Sequence, residues 1–367
     1  MSEPIYVLQT LLIAGLLLVL CWRESVLLRV QILVWSIGVV GLAIRFGLTS
    51  QLDFYSNDQN FYSNVVAKLS VQQFPTDFDW WTSSAKIPYT LPASILSTLG
   101  IDPSLALKAL SLVCLLILTR HVIKTQVPTL AGAISSVFIT ACGGIGVFYS
   151  LLALRETMMM LLVTRFVTTS SPTTRAFMIL LIFLLRPHLA AALVVAAVII
   201  MLWDQLQLRY LPSGLGLLGI AVLGCIIGSL LFSFGLWFQG SSFSANAGRW
   251  GIDSATRIVS NFVGLQFLTA RSETVEFSIR SLLVFRIVFS ETIIIPTLFT
   301  AMLLVRPQLA NTQSRLVLLS FSIYVGLVTN TDFNSFRQNI PFMAVMGLVI
   351  LHHLKRSPTR DSVGTSN

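Results

Sequence analysis

Residues 177–203 read FMILLIFLLRPHLAAALVVAAVIIMLW, an apolar run broken near its middle by Arg186, Pro187 and His188. Crossing the hydrocarbon of a bilayer takes roughly 20 apolar residues in a helix, so this run is long enough to span. Two readings fit it. One long helix could pass straight through, or two shorter helices could meet before Pro187, whose ring lacks the amide hydrogen and clashes with the turn behind it. Arg186 is the costly residue, because a charge at membrane depth persists only when paired or facing water.

The same pattern recurs on both sides of this run. Spans are expected near 5–22, 26–48, 104–120, 127–148, 150–168, 175–187, 188–203, 213–237, 281–305, 314–330 and 339–354. Only helices satisfy every backbone group in an open element within hydrocarbon. The expected fold is therefore an all-α polytopic membrane protein of about 11 transmembrane helices. Composition agrees: mean hydropathy is +0.82 and only 11% of the residues are charged, against about a quarter in soluble chains. Ser2 and Glu3 give no basic leader region, so residues 5–22 read as a retained span. The formal charge of +9 does not point to nucleic acid, because the basic residues sit at the ends of apolar runs. Cys21, Cys114, Cys142 and Cys225 lie in or beside apolar runs without metal-ligand spacing, and read as small hydrophobes.

Basic residues in short connections set the orientation. Arg23, Arg29, Arg120, His121, Lys124, Arg175, Arg306, Arg315 and the terminal HHLKRSPTR are mutually consistent on the cytoplasmic side of the cytoplasmic membrane. Residues 49–103, 238–280 and 331–338 then face the exterior or periplasm. The chain reads as one transmembrane domain, 1–354, with a disordered cytoplasmic tail at 355–367. The first external loop is rich in aromatic residues, including Tyr55, Tyr62, Trp80 and Trp81, as expected of a segment in the headgroup layer. Within it NDQNFYSNVVAKL (57–69) has the spacing of a short interfacial helix. Residues 88–100 are too short to cross and read as a re-entrant or interfacial helix.

Five sets of ionisable residues stand out. Asp53 and Asp58 follow the second span, and Asp58 opens the interfacial helix, where free N–H groups favour a carboxylate. Capping explains that position, and so does a general base facing the headgroups. Arg155 and Glu156 begin an apolar span in SLLALRETMMMLL. Adjacent helical residues point about 100° apart, so each needs a partner elsewhere, whether a helix or a substrate. Arg186, beside His188, needs an anion such as a carboxylate or a lipid phosphate, unless it reaches to the interface. Arg337 lies on an external turn in DFNSFRQNIPFM, and Arg286 with Glu291 lies in the span 281–305, where partners on other helices are expected.

Taken in order, these features resemble the GT-C superfamily of membrane glycosyltransferases, which includes protein mannosyltransferases and aminoarabinose transferases. NDQNFYSNVVAKL matches the acidic motif of the first external loop in those enzymes, with Asp58 at the catalytic aspartate and Gln59 in place of a second acid. PYTLPASILSTLGIDPSLALKALSLV (88–113), FYSLLALRETMMMLL (148–162), FLLRPHLA (183–190) and FRQNIPFM (336–343) follow in the family's order. The resemblance implies an inverting enzyme that uses a sugar on a polyprenyl phosphate or diphosphate. It implies Asp58 as base with Asp53 as substitute, Arg155, Arg186 and Arg337 on the lipid phosphate, and Glu156 as a positioning residue. Gln59 leaves a divalent metal open, and no other cofactor is implied. The implied partners are the lipid-linked donor, membrane lipid, and a glycan, lipid or protein acceptor; nucleic acid is not among them. Two other functions compete. A polysaccharide polymerase or ligase would use the arginines of 238–280 (Arg249, Arg257, Arg271 and Arg280) on a diphosphate or acidic glycan. A lipid-linked sugar transporter would use Arg286, Glu291 and a helix broken at Pro187.

Overall fold

The computed structural model describes residues 3–46, 56–71, 86–125, 130–206, 213–238, 258–259, 262, 282–329 and 339–355. Among the described residues every regular element is helical. α1 (Glu3–Leu20) and α2 (Val26–Phe46) form a hairpin. Two short helices follow, α3 (Ser56–Ser70) and α4 (Ile87–Thr98), and then α5 (Pro103–Thr125). The middle of the chain gives α6 (Leu130–Ile139), α7 (Ile145–Leu151), α8 (Glu156–Thr168), α9 (Pro172–Leu185) and α10 (Pro187–Gln205). The last third gives α11 (Gly214–Phe238), α12 (Leu282–Val305), a single 3-10 turn, α13 (Thr312–Thr329) and α14 (Ile340–Lys355).

The chain is a helical membrane protein. Val26–Ile44, Pro103–Lys124, Pro187–Gln205 and Gly214–Phe232 are each long and apolar enough to cross a bilayer. Five shorter apolar helices accompany them. Leucine, isoleucine and valine side chains point outward along α1, α2 and α11, for example Leu12, Ile37 and Val222. Such faces are stable against lipid and unstable against water. α13 and α14 form the centre: Phe321, Tyr324, Phe342 and Met343 are fully enclosed. α13 packs on α10 and α11, and α14 on α8 and α12.

The run 177–203 is two helices. α9 ends at Leu185, Arg186 is extended (φ −156°, ψ 91°), and Pro187 opens α10. Proline is favoured there because its missing N–H has no partner in a first turn. Helices appear where the sequence placed the two short non-spanning segments, as α3 and α4. The continuous span expected over 127–148 does not form. α6 stops at Ile139 and α7 restarts at Ile145, after Gly143 and Gly144. Ala141 (φ 57°) and Ala153 (φ 53°) are left-handed at the two breaks, before and after α7. That geometry costs about 1–2 kcal/mol per residue, and a distant side chain supports it. The Glu291 carboxylate of α12 accepts the Gly144 N–H at 2.8 Å and the Ile145 N–H at 2.7 Å. The backbone groups freed by the break are thus satisfied inside the bundle, as a break at membrane depth requires.

Two ion pairs join helix ends. Arg120 at the end of α5 pairs with Glu24 of the α1–α2 turn at 2.6 Å. Arg315 at the start of α13 meets Asp204 at the end of α10 at 3.4 Å. The tail at 355–367 lies outside the described residues from Arg356 onward, as does nearly all of 238–280.

α11 and α13 approach closely through glycine. A Cβ at Gly228 would collide with the Ile323 carbonyl oxygen, and one at Gly326 with that of Cys225. A Cβ at Gly219 meets nothing within 4 Å. Gly228→Ala and Gly326→Ala should each cost about 1–3 kcal/mol, as overpacking does. Gly219→Ala should stay within about 0.5 kcal/mol of the parent. Thermal unfolding in one detergent measures all three; equal losses at the three sites would contradict this packing.

Candidate functional site

Several helix starts among the described residues follow the ordinary rule that an oxygen-bearing side chain caps the free N–H groups. The Asp102 carboxylate accepts the N–H groups of Ser104 (2.9 Å) and Leu105 (3.2 Å) at the start of α5. Ser171 caps α9 through Thr174 N–H, and Asn311 caps α13 through Ser314 N–H. The N-cap residues of α4, α8 and α10 are Lys86, Arg155 and Arg186, and none of the three makes a side-chain capping bond; nor do Gly144 before α7 and Arg306 before the 3-10 turn. A cation at a helix start faces the positive end of the helix dipole, an arrangement that is unfavourable by itself.

The three basic starts share one neighbour. His188, in the first turn of α10, is within electrostatic reach of Arg186, Lys86 and Arg155 together. Arg186 is the deepest, only 7% exposed. Its Nη2 lies 3.7 Å from Oε1 of the fully buried Glu156, and its Nη1 donates to the Tyr324 hydroxyl at 3.0 Å. Arg155 and Lys86 are half-buried and His188 is exposed. The cluster therefore runs from a buried ion pair outward to an accessible rim.

An aromatic wall flanks the cations. The Arg155 guanidinium lies over the Tyr62 ring of α3, 5.9 Å from its centroid. Tyr62 meets Tyr89 of α4 edge to face, with centroids 5.8 Å apart. The Tyr89 and Ser111 hydroxyls are 2.8 Å apart. Ser111 donates in turn to the Leu154 carbonyl, next to Arg155, at 3.2 Å. Burial pushes the Tyr89 phenol well above its ordinary range, and Glu156 adds to this, so the phenol stays protonated and able to donate.

Three of the residues singled out in the sequence, Arg155, Glu156 and Arg186, are therefore neighbours. Arg155 and Glu156 diverge as adjacent helical residues must, one to Tyr62 and the other to Arg186. Position 58 lies in the first turn of α3, one turn before Tyr62, and its side chain lies outside the described residues. Asp53 and Arg337 also lie outside them, as do Arg249, Arg257, Arg271, Arg280 and the Arg286 side chain. Glu291 belongs elsewhere, at the start of α7. Among the described residues no group of three or more His, Cys, Asp and Glu side chains could hold a metal ion.

Two cations were missed in the sequence. Lys86 reads there as one more loop lysine. Lys108 is only 2% exposed, and its ammonium donates to the Tyr6 hydroxyl at 3.2 Å. Its signal was present, a single charge inside the apolar LALKALSLV. No protein-family model, curated protein or solved structure matches the chain significantly.

The Arg186–Glu156 pair gives a stability test. Glu156→Leu alone leaves a buried cation uncompensated and should cost about 3–5 kcal/mol, as should Arg186→Leu for the carboxylate. The double replacement should recover most of that loss. Thermal unfolding of the four proteins in lipid nanodiscs completes the cycle; additive losses would show that the two charges are not coupled.

Proposed function

We propose that the protein is a membrane glycosyltransferase of about 11 spans that moves a sugar from a polyprenyl-phosphate or polyprenyl-diphosphate donor to an acceptor. The active site faces the exterior or periplasm. The observation that carries this reading is the meeting of three basic helix starts, Lys86, Arg155 and Arg186, beside the aromatic pair Tyr62–Tyr89. Helix starts and guanidinium groups both favour phosphate oxygens. Tyr62 and Tyr89 are themselves buried, so they support the cations from behind. The motif order of the sequence, with an acid at position 58 of the neighbouring α3, supports the same chemistry.

In this mechanism the Asp58 carboxylate takes the proton of the acceptor hydroxyl or amine. The freed lone pair attacks the anomeric carbon from the face opposite the phosphate. The bond from that carbon to the phosphate oxygen breaks, and its electrons remain on the lipid phosphate. Arg155 and Arg186 stabilise the charge that develops there. Glu156 and Tyr324 hold Arg186 in place without touching substrate.

A second reading, a lipid-linked sugar transporter, draws on the break between α6 and α7, since interrupted helices at membrane depth line many transport paths. It differs in forming no covalent product.

The test is transfer of labelled sugar from a polyprenyl-linked donor, with mass spectrometry of the envelope glycans of cells with and without the gene. Asp58→Asn should lower transfer by about 10²–10⁴-fold, the usual loss for a general base. Arg155→Ala should lower it by about 10²–10³-fold, as expected for charge stabilisation. If Asp58→Asn left transfer undiminished while Asp53→Asn abolished it, the base would be Asp53. Movement of the labelled lipid across vesicles without any new glycosidic bond would establish the transporter instead.

A further inference from the structure

α2 has two contrasting faces along its whole length. Leu28, Ile32, Trp35, Val39 and Ala43 are buried at the spacing of one helix face. Beside them Gln31 holds the helix in place, donating to the Thr119 hydroxyl (3.1 Å) and the Cys142 carbonyl (2.9 Å). Val26, Val30, Leu33, Ile37 and Ile44 form an exposed stripe from the start of α2 almost to its end. The helix is long and apolar enough to cross a bilayer. Arg29 borders the stripe, next to Val30 and one turn from Val26 and Leu33. Side chains on a helix lean toward its start, and the Arg29 guanidinium lies over the Trp22 ring of the α1–α2 turn, 5.6 Å from its centroid. Trp22 itself is 68% exposed. Arg29 makes no ion pair among the described residues, and its buried Nε has no hydrogen-bond partner among them.

We infer that the α1–α2 turn holds the phosphate of an anionic phospholipid on Arg29, with one acyl chain laid along the exposed stripe of α2. None of the residues of the proposed transferase site takes part. Charge selects the lipid. Arg23, Arg29 and Arg120 share one carboxylate, that of Glu24, which Arg120 already holds at 2.6 Å. Three positive charges against one negative leave an excess of two among these four residues, which suits a headgroup of net negative charge over a zwitterionic one. Geometry selects the phosphate. A guanidinium stacked on an aromatic face still presents its planar edge, whose N–H groups fit phosphate oxygens at two points. An exposed tryptophan beside it is the residue expected at the level of the headgroups. The apolar stripe that starts beside Arg29 matches the acyl chain of the same molecule, whereas a free phosphate would leave it uncovered.

Native mass spectrometry of the full-length protein tests this, with phosphatidylglycerol and phosphatidylcholine of the same chains as probes. The parent should bind phosphatidylglycerol about fivefold more tightly than phosphatidylcholine, the worth of one cation beside an anionic headgroup. In Arg29→Gln that preference should fall below about twofold, with the unfolding temperature in lipid-free detergent unchanged. Arg165→Gln removes one charge from the exposed last turn of α8 and should leave the preference intact. Should Arg29→Gln fail to fold, Arg29→Lys keeps the charge without the two-point edge and should still halve the preference. Arg29→Lys with the parent's preference would overturn the guanidinium contact. Equal affinity of the parent for the two lipids would overturn the anionic headgroup. Equal losses in Arg29→Gln and Arg165→Gln would show diffuse attraction and overturn the site. Displacement by glycerol phosphate as readily as by the lipid would overturn the acyl-chain contact. A dimer that persists without lipid and is lost in Ile37→Asn would place a second copy on the stripe and overturn the lipid.

Discussion

Arg186 keeps its charge under all ordinary conditions, and it sits where packed side chains leave it 7% exposed. The neighbouring architecture follows from how that charge is held. Pro187 ends one helix and opens the next, so Arg186 lies at a break rather than on a helix face. From there it reaches Glu156 at the start of α8 and Tyr324 near the end of α13. One residue thus links α9, α10, α8 and α13. A buried pair of this kind adds little net stability, because desolvation offsets much of the attraction. Its effect is to fix where the helix starts lie, and so where the other cations are placed.

Placing Lys86, Arg155 and Arg186 at helix starts works against the dipole of each helix. Elsewhere the same chain uses Asp102, Ser171 and Asn311 for that task. These three starts are within electrostatic reach of His188, and tertiary packing holds the elements that carry them. Tyr62 lies under Arg155, the Tyr89–Ser111–Leu154 chain ties α4 through α5 to the segment before α8, and Glu156 meets Arg186. On the proposed reading, the lipid phosphate is the anion that this arrangement suits. That is the physical reason to regard the cluster as a binding site.

Much of this was legible in the sequence, for reasons that can be stated residue by residue. Apolar length pointed to the helices, and Pro187 made a break beside Arg186 one of two readings of 177–203. The adjacency of Arg155 and Glu156 required divergent partners, which Tyr62 and Arg186 turn out to be. Aromatic and apolar spacing gave α3. The break between α6 and α7 was not legible, because Gly143 and Gly144 inside an apolar run are compatible with a continuous helix. What makes the break tolerable is Glu291, more than a hundred residues further along the chain. Lys86 was illegible for a similar reason, since only the packing of α4 against α9 brings that loop lysine toward Arg186 and His188.

The central claim is that three basic helix starts form one anion site at the end of the bundle that carries α3. A density map of the protein in lipid nanodiscs with a polyprenyl-linked phosphate tests it most directly. The account predicts a phosphate bounded by the starts of α4, α8 and α10, with oxygens about 3 Å from guanidinium nitrogens of Arg155 and Arg186. Helix starts more than about 10 Å apart, beyond effective electrostatic contact in salt, or a phosphate bound elsewhere, would contradict it.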